Sequence, residues 1–344
     1  MPAIAVADEL RDRGAEVSFL GTRDRIEAEL VPAAGYEIDH LAVSGIDRRN
    51  PLRAMAAALR AIPAVGAARR ALRRRRPAAV MGGGGFVAGP AGLAATTLGL
   101  PLVLTEADSR LGLANRLLAG RARRICLAFP IEGRTGERYL VTGRPVPAAV
   151  LSADRGAARR RFGIDDRAQC LLVMGGSQGA RSINLCAARA FAGPTERAAW
   201  ILHLAGRRDF AELRELVGEA QRYTLLEYEP DLGDCLAACD LVVARAGGSI
   251  FELTAAGRPA LLVPYPHAAS DHQRANARWM AEAGAALVIS DDQLEPRRLA
   301  QTVDDLLADS ERLERMTAAS RSLAKPDAAA RIADEILAAA SSEG

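Results

Sequence analysis

Residues 245–276 hold the densest grouping of chemistry-capable side chains in this 344-residue sequence. An apolar run ending at 241–244 reads as a buried strand, Ala246-Gly247-Gly248-Ser249 as a tight turn, and Ile250 to Ala256 as a helix closed by Gly257 and Pro259. Such a turn points backbone N–H groups and the positive end of the helix dipole at an anion, and a nucleotide diphosphate suits that place. Glu252, in the first turns of the helix, offers a carboxylate to sugar hydroxyls. After a second strand at 260–263, the segment 264–276 carries His267, Asp271, His272, Gln273 and Asn276, a hydrogen-bonding set suited to a sugar. An ordinary strand–turn–helix unit with a polar surface loop is the alternative. The turn alone does not separate the two, and the polar loop in tandem favours the binding site.

The elements that must position these residues alternate. Helix 3–13, strand 16–20, helix 24–33, strand 37–41, a basic helical region 51–76 and strand 78–81 lead to the Gly82-Gly83-Gly84-Gly85 loop. A helix near 89–98, strand 102–104, helix 112–119 and strands near 125–128 and 139–142 close the first half. The second half restarts with strand 170–174 and the loop Gly175-Gly176-Ser177-Gln178-Gly179-Ala180, then repeats the alternation through strands 200–204, 224–227 and 240–244. Two restarts predict an α/β protein with two doubly wound parallel sheets and ligands at the carboxyl ends of the strands, in a cleft between the halves. Residues 144–161 are the expected linker.

Composition narrows the class. The sequence is 49% hydrophobic and 25% charged, which is globular, and only 4% aromatic, which disfavours nucleic-acid readers that stack bases. A net charge of +3 selects no partner. Cysteines 126, 170, 186, 235 and 239 form no Cys-x-x-Cys pair, so they are expected to be small buried hydrophobes in a reducing compartment, and no metal site is expected. No signal peptide is apparent. The longest uncharged stretch, 81–105, is broken by glycines 82–85 and by Pro90 and Pro101, so no spanning helix is expected. Leu52, Met55, Leu59 and Ile62 recur at helical spacing, bordered by Arg48, Arg49, Arg53 and Arg60 and followed by the run from Arg69 to Arg76. Apolar residues flanked by arginines suit an anionic membrane surface; a core-facing stripe with a solvated basic face is the alternative.

Taken together, several motifs carry a nearly full-length resemblance: Gly21-Thr22-Arg23, Glu27 with Leu30-Val31-Pro32, Gly35-Tyr36, Val43-Ser44-Gly45, Gly83 to Pro90, Gly112-Leu113-Ala114-Asn115-Arg116, Gly175 to Arg181, Arg245 to Glu252, Pro264 to Asn276, and Pro326-Asp327-Ala328. The sequence resembles the MurG family of peptidoglycan glycosyltransferases. The resemblance implies a GT-B fold: an acceptor and membrane-facing domain at 1–147, a donor domain at 148–325, and a C-terminal helix within 326–344 that returns to the first domain. It implies inverting transfer of N-acetylglucosamine from UDP-N-acetylglucosamine to lipid I, giving lipid II at the cytoplasmic face of the membrane, with roles in cell shape and division and no cofactor. It places Ser177 near the nucleotide, the backbone near Glu229 at the uracil, Gly247, Gly248, Ser249 and Ile250 at the diphosphate, Glu252 at the ribose, and His272 and Gln273 at the sugar. Gly83, Gly84, Gly85 and Asn115 fall on the acceptor side, and His267 is expected to shape its loop rather than catalyse. A transferase acting on another lipid or aglycone, and a non-catalytic UDP-sugar-binding relative, are the competing functions; a UDP-sugar epimerase of similar fold ranks below both.

The sequence also departs from the family pattern. Thr105-Glu106-Ala107-Asp108 stands where the family has His-Glu-Gln-Asn; Asp108 accepts a hydrogen bond from a sugar hydroxyl but donates none. Gly143-Arg144-Pro145-Val146-Pro147 stands for Gly-Asn-Pro-Val-Arg, so the family's cation near the nucleotide has either moved to Arg144 or vanished. The stretch 245–252 is one residue shorter than the family form. The family's opening strand and Gly-Gly-Thr-Gly-Gly-His loop have no counterpart, so the first sheet is expected to lack a central strand, with an upstream start as the favoured explanation. Glu106 is then the nearest acid candidate.

Overall fold

The computed structural model describes residues 2–42, 51–175, 180–193, 198–268 and 271–341, with the backbone alone for 51–62 and Phe86. The chain divides into two compact units, Met1–Pro145 with Asp327–Gly344, and Val146–Pro326. Ser177 and part of its glycine loop lie outside the described residues, as do the side chains of Leu52, Met55, Leu59 and Ile62.

In the first unit, α1 (Pro2–Asp12), β1 (Ser18–Gly21), α2 (Glu27–Ala33), β2 (Glu37–His40), α3 (Pro51–Arg75) and β3 (Val80–Gly82) are followed by α4 (Gly85–Thr97), β4 (Leu102–Glu106), α5 (Leu113–Leu118), β5 (Arg124–Leu127) and β6 (Tyr139–Val141). The second unit holds α6 (Ala148–Ser152), α7 (Arg155–Phe162), β7 (Cys170–Met174), α8 (Arg181–Phe191), β8 (Trp200–Leu204), α9 (Phe210–Val217), β9 (Tyr223–Leu226), α10 (Leu232–Ala238) and β10 (Leu241–Ala244). It continues through α11 (Ile250–Ala255), β11 (Ala260–Leu262), α12 (His272–Glu282), β12 (Ala286–Val288), α13 (Pro296–Ala308) and α14 (Ser310–Ser322); α15 (Ala328–Ser341) belongs to the first unit.

Every strand pair is parallel. Parallel sheets need helices on both faces, so their strands read as unbroken apolar runs. All five residues of β7 are accordingly buried. The second sheet has the order β12-β11-β10-β7-β8-β9, a doubly wound arrangement with its first strand in the middle. The first unit is different. Its strands form two separate sheets, β1-β2 and β3-β4-β5-β6. The C-terminal helix α15 packs Ile332, Ala333, Ile336 and Ala339 with Val6 and Leu10 of α1 and with Val103 and Cys126 of the sheet. An ion pair between Arg124 and Glu335 at 2.7 Å secures it.

The boundary between the units, Pro145 to Val146, falls inside the segment 144–161 expected as the linker, and most of the rest of that segment is helical. Asp154 caps α7 by accepting the N–H of Ala157 at 2.7 Å, and Gly163 ends it at φ 68°. Arg159 on α7 is 1% exposed. Its guanidinium donates to the carbonyls of Asp165, Asp166, Ala168 and Ala238 and pairs with Asp240 at 2.9 Å. Asp240 also accepts the N–H of Cys170, so α7 is clamped to the start of β7. A guanidinium this buried is tolerable only with such complete pairing, and that requirement folds the segment onto the unit. The helix expected near 89–98 starts earlier, at Gly85, because Gly84 and Gly85 adopt left-handed backbone (φ 78° and 74°) that lets the loop turn directly into α4. Among the described residues no helix is long and apolar enough to cross a membrane, and all five cysteines are buried and free.

His203 on β8 is fully buried. Asn184 donates through Nδ2 to the Ala205 carbonyl at 2.7 Å and to Asp209 at 2.8 Å, so its Oδ1 must accept from His203 Nε2 at 3.1 Å, and Nδ1 accepts from the Tyr223 hydroxyl at 2.7 Å. Burial drives the His203 imidazole down to about 3, from 6.5 in the unfolded chain. The unfolded chain therefore binds the proton first. The stability from this neutral histidine is complete above pH 6.5 and is lost as pH falls towards 3, by up to about 1.4 kcal/mol per pH unit. Denaturant titrations between pH 7.5 and 5 should show a loss of about 2 kcal/mol from this group, and His203→Gln should reduce that slope. The same slope in wild type and variant would refute the assignment.

Candidate functional site

The second unit gathers its polar residues at the carboxyl ends of β10 and β11. The apolar strand β10 is wholly buried, and the next residue is Arg245. A guanidinium at that point has to find oxygen partners. It donates to the carbonyls of Val263 (3.1 Å) and Pro264 (3.4 Å), to Asp291 Oδ1 (2.5 Å) and to Ser182 Oγ (2.7 Å). Ser182 in turn bonds Asp291 at 2.7 Å. The guanidinium also lies over the Tyr265 ring at 5.4 Å, and His267 meets that ring edge-on at 5.6 Å. His267 is thus part of the wall of its loop, as the sequence suggested. The sequence reading gave Arg245 no role; its signal is a lone cation at the end of an apolar strand.

The turn 246–249 leaves Arg245 and enters α11, a helix of six residues. It is held from below by α12. Asn276 Nδ2 donates to the Ala246 carbonyl at 2.9 Å, and Phe251 packs on Trp279 with ring centroids 5.7 Å apart. Gln273 Oε1 accepts the N–H of Tyr265 at 2.9 Å. That oxygen is therefore committed to the loop, while its Nε2 points to Gly247, lying 3.8 Å from where a Cβ at that position would stand. Gly247, Gly248 and Ser249 are half-buried with the backbone accessible, and Ile250 is buried in the core. Glu252 and His272 are half-buried on adjacent helices that flank the turn. Asp271, immediately before His272, adopts a left-handed backbone at φ 56°, an uncommon conformation outside glycine. The turn, Glu252, His272 and Gln273 are thus brought into one region through α11 and α12.

Glu229 lies apart from them, on the loop after β9. Its side chain is 6% exposed and pairs with Arg161 at 2.6 Å, and it also accepts the N–H of Asp231 at 2.9 Å. Its carboxylate is structural, which leaves only its backbone for a ligand.

In the first unit, Gly82 has no room for a side chain, because a Cβ there would meet Leu104 at 2.7 Å. Gly83 to Gly85 then open the loop before α4. Glu106, at the end of β4, is 7% exposed. Its carboxylate accepts from the N–H of Asp108 (3.2 Å), the N–H of Gly112 (2.7 Å) and Asn115 Nδ2 (2.9 Å). Asn115 also donates to the Thr105 carbonyl at 2.9 Å. Glu106 and Asn115 therefore hold the loop 107–112 in shape, with Asp108 exposed upon it. Asn115 Oδ1 is buried without a hydrogen-bond partner among the described residues. Arg144 is half-buried and follows the left-handed Gly143, φ 84°.

Comparison with known proteins agrees with this architecture. Residues 1–127 match the glycosyltransferase family 28 N-terminal domain, and residues 170–332 match the corresponding C-terminal domain. The UDP-N-acetylglucosamine--N-acetylmuramyl-(pentapeptide) pyrophosphoryl-undecaprenol N-acetylglucosamine transferase of Rubrobacter xylanophilus is 41% identical, over 97% of this chain and 98% of its own. The protein of the same name from Nitrosococcus oceani is 42% identical over 99% and 95%. The crystal structure of Acinetobacter baumannii MurG superposes with a TM-score of 0.79 at 30% identity, covering 98% of this chain and 95% of that one. With its two parallel-sheet units and this likeness along nearly the whole chain, the protein belongs to the MurG family of GT-B glycosyltransferases.

Proposed function

We propose that this chain transfers N-acetylglucosamine from UDP-N-acetylglucosamine to lipid I, with inversion at the sugar carbon, to give lipid II. An acceptor hydroxyl attacks the anomeric carbon and gives up its proton to a base or to water at the site, the bond to the diphosphate breaks, and UDP leaves with the electron pair. The chemistry asks for two things: a site that holds a diphosphate while it gains charge, and groups that orient the sugar. The observation that carries the reading is the turn 246–249 running into α11, braced by Asn276 and flanked by Glu252, His272 and Gln273. Backbone N–H groups of the turn Gly247 to Ser249 bind the diphosphate, with Ile250, buried and donating its N–H to the Gly247 carbonyl, anchoring the turn to the core, and the Glu252 carboxylate takes the ribose hydroxyls. His272 and the Gln273 Nε2 amide address the sugar ring, Ser177 approaches the nucleotide, and the backbone at Glu229 meets the uracil. Arg144 supplies a cation near the nucleotide.

On the acceptor side we assign Gly83, Gly84, Gly85 and the loop anchored by Asn115 to the lipid-linked substrate; Asp108 joins the donor set, at a sugar hydroxyl. Glu106, the acid candidate, already accepts three N–H groups, which favours a part in shaping the loop that carries Asp108. Two outcomes test the reading together. Wild-type protein should glycosylate a lipid I analogue and not a plain aglycone. Glu252→Ala should weaken UDP binding about tenfold or more by isothermal titration, the loss expected for charge-assisted bonds to a diol. An unchanged dissociation constant in the folded variant would remove Glu252 from the site, and donor binding without any transfer would mark a non-catalytic relative.

The protein works, in this reading, as a peripheral protein on the cytoplasmic face of the membrane. Helix α3 carries Leu52, Met55, Leu59 and Ile62 at helical spacing, and farther along Arg70, Arg73 and Arg76 are exposed. Arg74 and Arg75 are partly neutralised by Asp39, so the cationic surface is smaller than the sequence run suggests. Flotation with liposomes should show binding that rises with anionic lipid content and weakens as salt screens the arginines. Binding that ignores both would favour a core-facing stripe with a solvated basic face.

A further inference from the structure

The loop between β9 and α10 is short and is fixed at both ends. The Glu227 carbonyl accepts the N–H of Gly206 at 3.0 Å. Asp231 caps α10 by accepting the N–H of Gly233 at 3.1 Å. Helix α6 lies so close that Gly233 has no room for a side chain against the Ala149 carbonyl, which seats that end firmly. Between these anchors Tyr228 is exposed, whereas the Glu229 side chain is turned inward and is only 6% exposed. Two contacts hold it there. Oε1 accepts the N–H of Asp231 at 2.9 Å, and Oε2 accepts from the Arg161 guanidinium of α7 at 2.6 Å. Arg161 also pairs with Asp234 of α10 at 2.7 Å, so one guanidinium bridges α7, the loop and α10. Among the described residues, neither the N–H nor the carbonyl of Glu229 has a backbone partner.

We propose that Arg161 is a positioning residue for base selectivity: by drawing the Glu229 carboxylate inward it presents the backbone N–H and C=O of Glu229 to the base, an arrangement that accepts uracil and refuses cytosine. The proposal rests on the reading that places the uracil at this backbone. Uracil offers an acceptor, O4, beside a donor, N3–H, and so matches an N–H and a C=O held side by side. Cytosine offers the reverse, an amino donor beside an acceptor nitrogen, and can satisfy neither partner in the same pose. The discrimination therefore depends on holding the loop in one orientation, and Arg161 is what holds it. A carboxylate as covered as that of Glu229 is tolerable only beside a cation. Without Arg161 the cheapest relief is for Glu229 to swing out into water, and in so short a loop the backbone turns with the side chain. Arg161 itself is 44% exposed, so its ion pairs add little to overall stability and its effect falls on the loop.

Calorimetric affinities for UDP and CDP, with amide exchange across 227–232, test this on the 344-residue protein. Arg161→Ala should lower the preference for UDP over CDP at least about tenfold, by weakening UDP and leaving CDP nearly unchanged. Adding Glu229→Gln, whose neutral side chain bears burial without a cation, should restore most of the preference. Asp234→Asn, which removes the other partner and leaves the Glu229 pair intact, should keep the preference within about twofold of wild type. An unchanged preference in Arg161→Ala, with UDP slowing exchange across 227–232 in wild type, would overturn the role of Arg161 and leave the uracil reading standing. UDP that leaves those amides unprotected would overturn the uracil reading and this proposal with it. An equal loss of preference in Asp234→Asn, or no recovery in the double variant, would show that Arg161 merely seats α10 and would overturn the proposal too.

Discussion

A charged group placed at the end of a buried strand is the constraint on which the second unit turns. β10 delivers Arg245 to the edge of the core, where a cation is tolerable only if fully partnered. Asp291 neutralises it, and Ser182 with the carbonyls of Val263 and Pro264 completes the donors' needs. Those partners come from α8, from the loop after β11 and from the 3-10 turn Asp291–Gln293. One guanidinium thus fixes three separate pieces of chain against the strand end. The turn 246–249 begins at the next residue, so its backbone is placed by the same contacts. The Tyr265 ring beneath the guanidinium, and His267 meeting that ring edge-on, extend that order into the polar loop.

The same logic of satisfied polar groups recurs at the start of the sheet. Arg159 and Asp240 join α7, α10 and the first residue of β7. One end of the sheet is therefore tied by an ion pair to the helices below it, and the opposite end by Arg245 to the loops above. Between these ties β7, β10 and β11 are purely apolar. Polar loops at the carboxyl ends are then free to carry chemistry without bearing on the core, which is where open α/β sheets place their ligands. The first unit follows the same plan at Glu106, whose carboxylate gathers the N–H groups of the loop after β4.

Much of this was legible in the sequence because parallel strands leave unbroken apolar runs and glycine-rich turns mark where they end. β7, β8 and β10 read almost residue for residue, as did the turn before α11. Short strands were harder. β12 has three residues, Ala286–Val288, too few for any period, and pairing alone defines it. Helix α7 was hidden behind prolines and glycines that resemble a linker, since the ion pair that folds it in comes from Asp240, some eighty residues away. Side-chain roles divide in the same way. His272, Gln273 and Asn276 could be singled out as a polar set, yet only the structure divides them, with Asn276 bracing the turn and Gln273 giving its oxygen to Tyr265. Arg245 is fixed by Asp291 and Glu229 by Arg161, partners distant in sequence that no local pattern encodes, whereas Glu106 is held by the loop that follows it.

The central claim is that donor binding depends on a turn whose geometry Arg245 imposes. The most direct test is UDP affinity in Arg245→Lys, which keeps the positive charge but loses the planar fork that reaches several oxygens at once. Titration calorimetry on the folded variant should show affinity reduced about tenfold or more, with faster amide exchange across 246–250. Unchanged UDP affinity, in a variant whose turn has loosened by the same exchange measurement, would contradict the account.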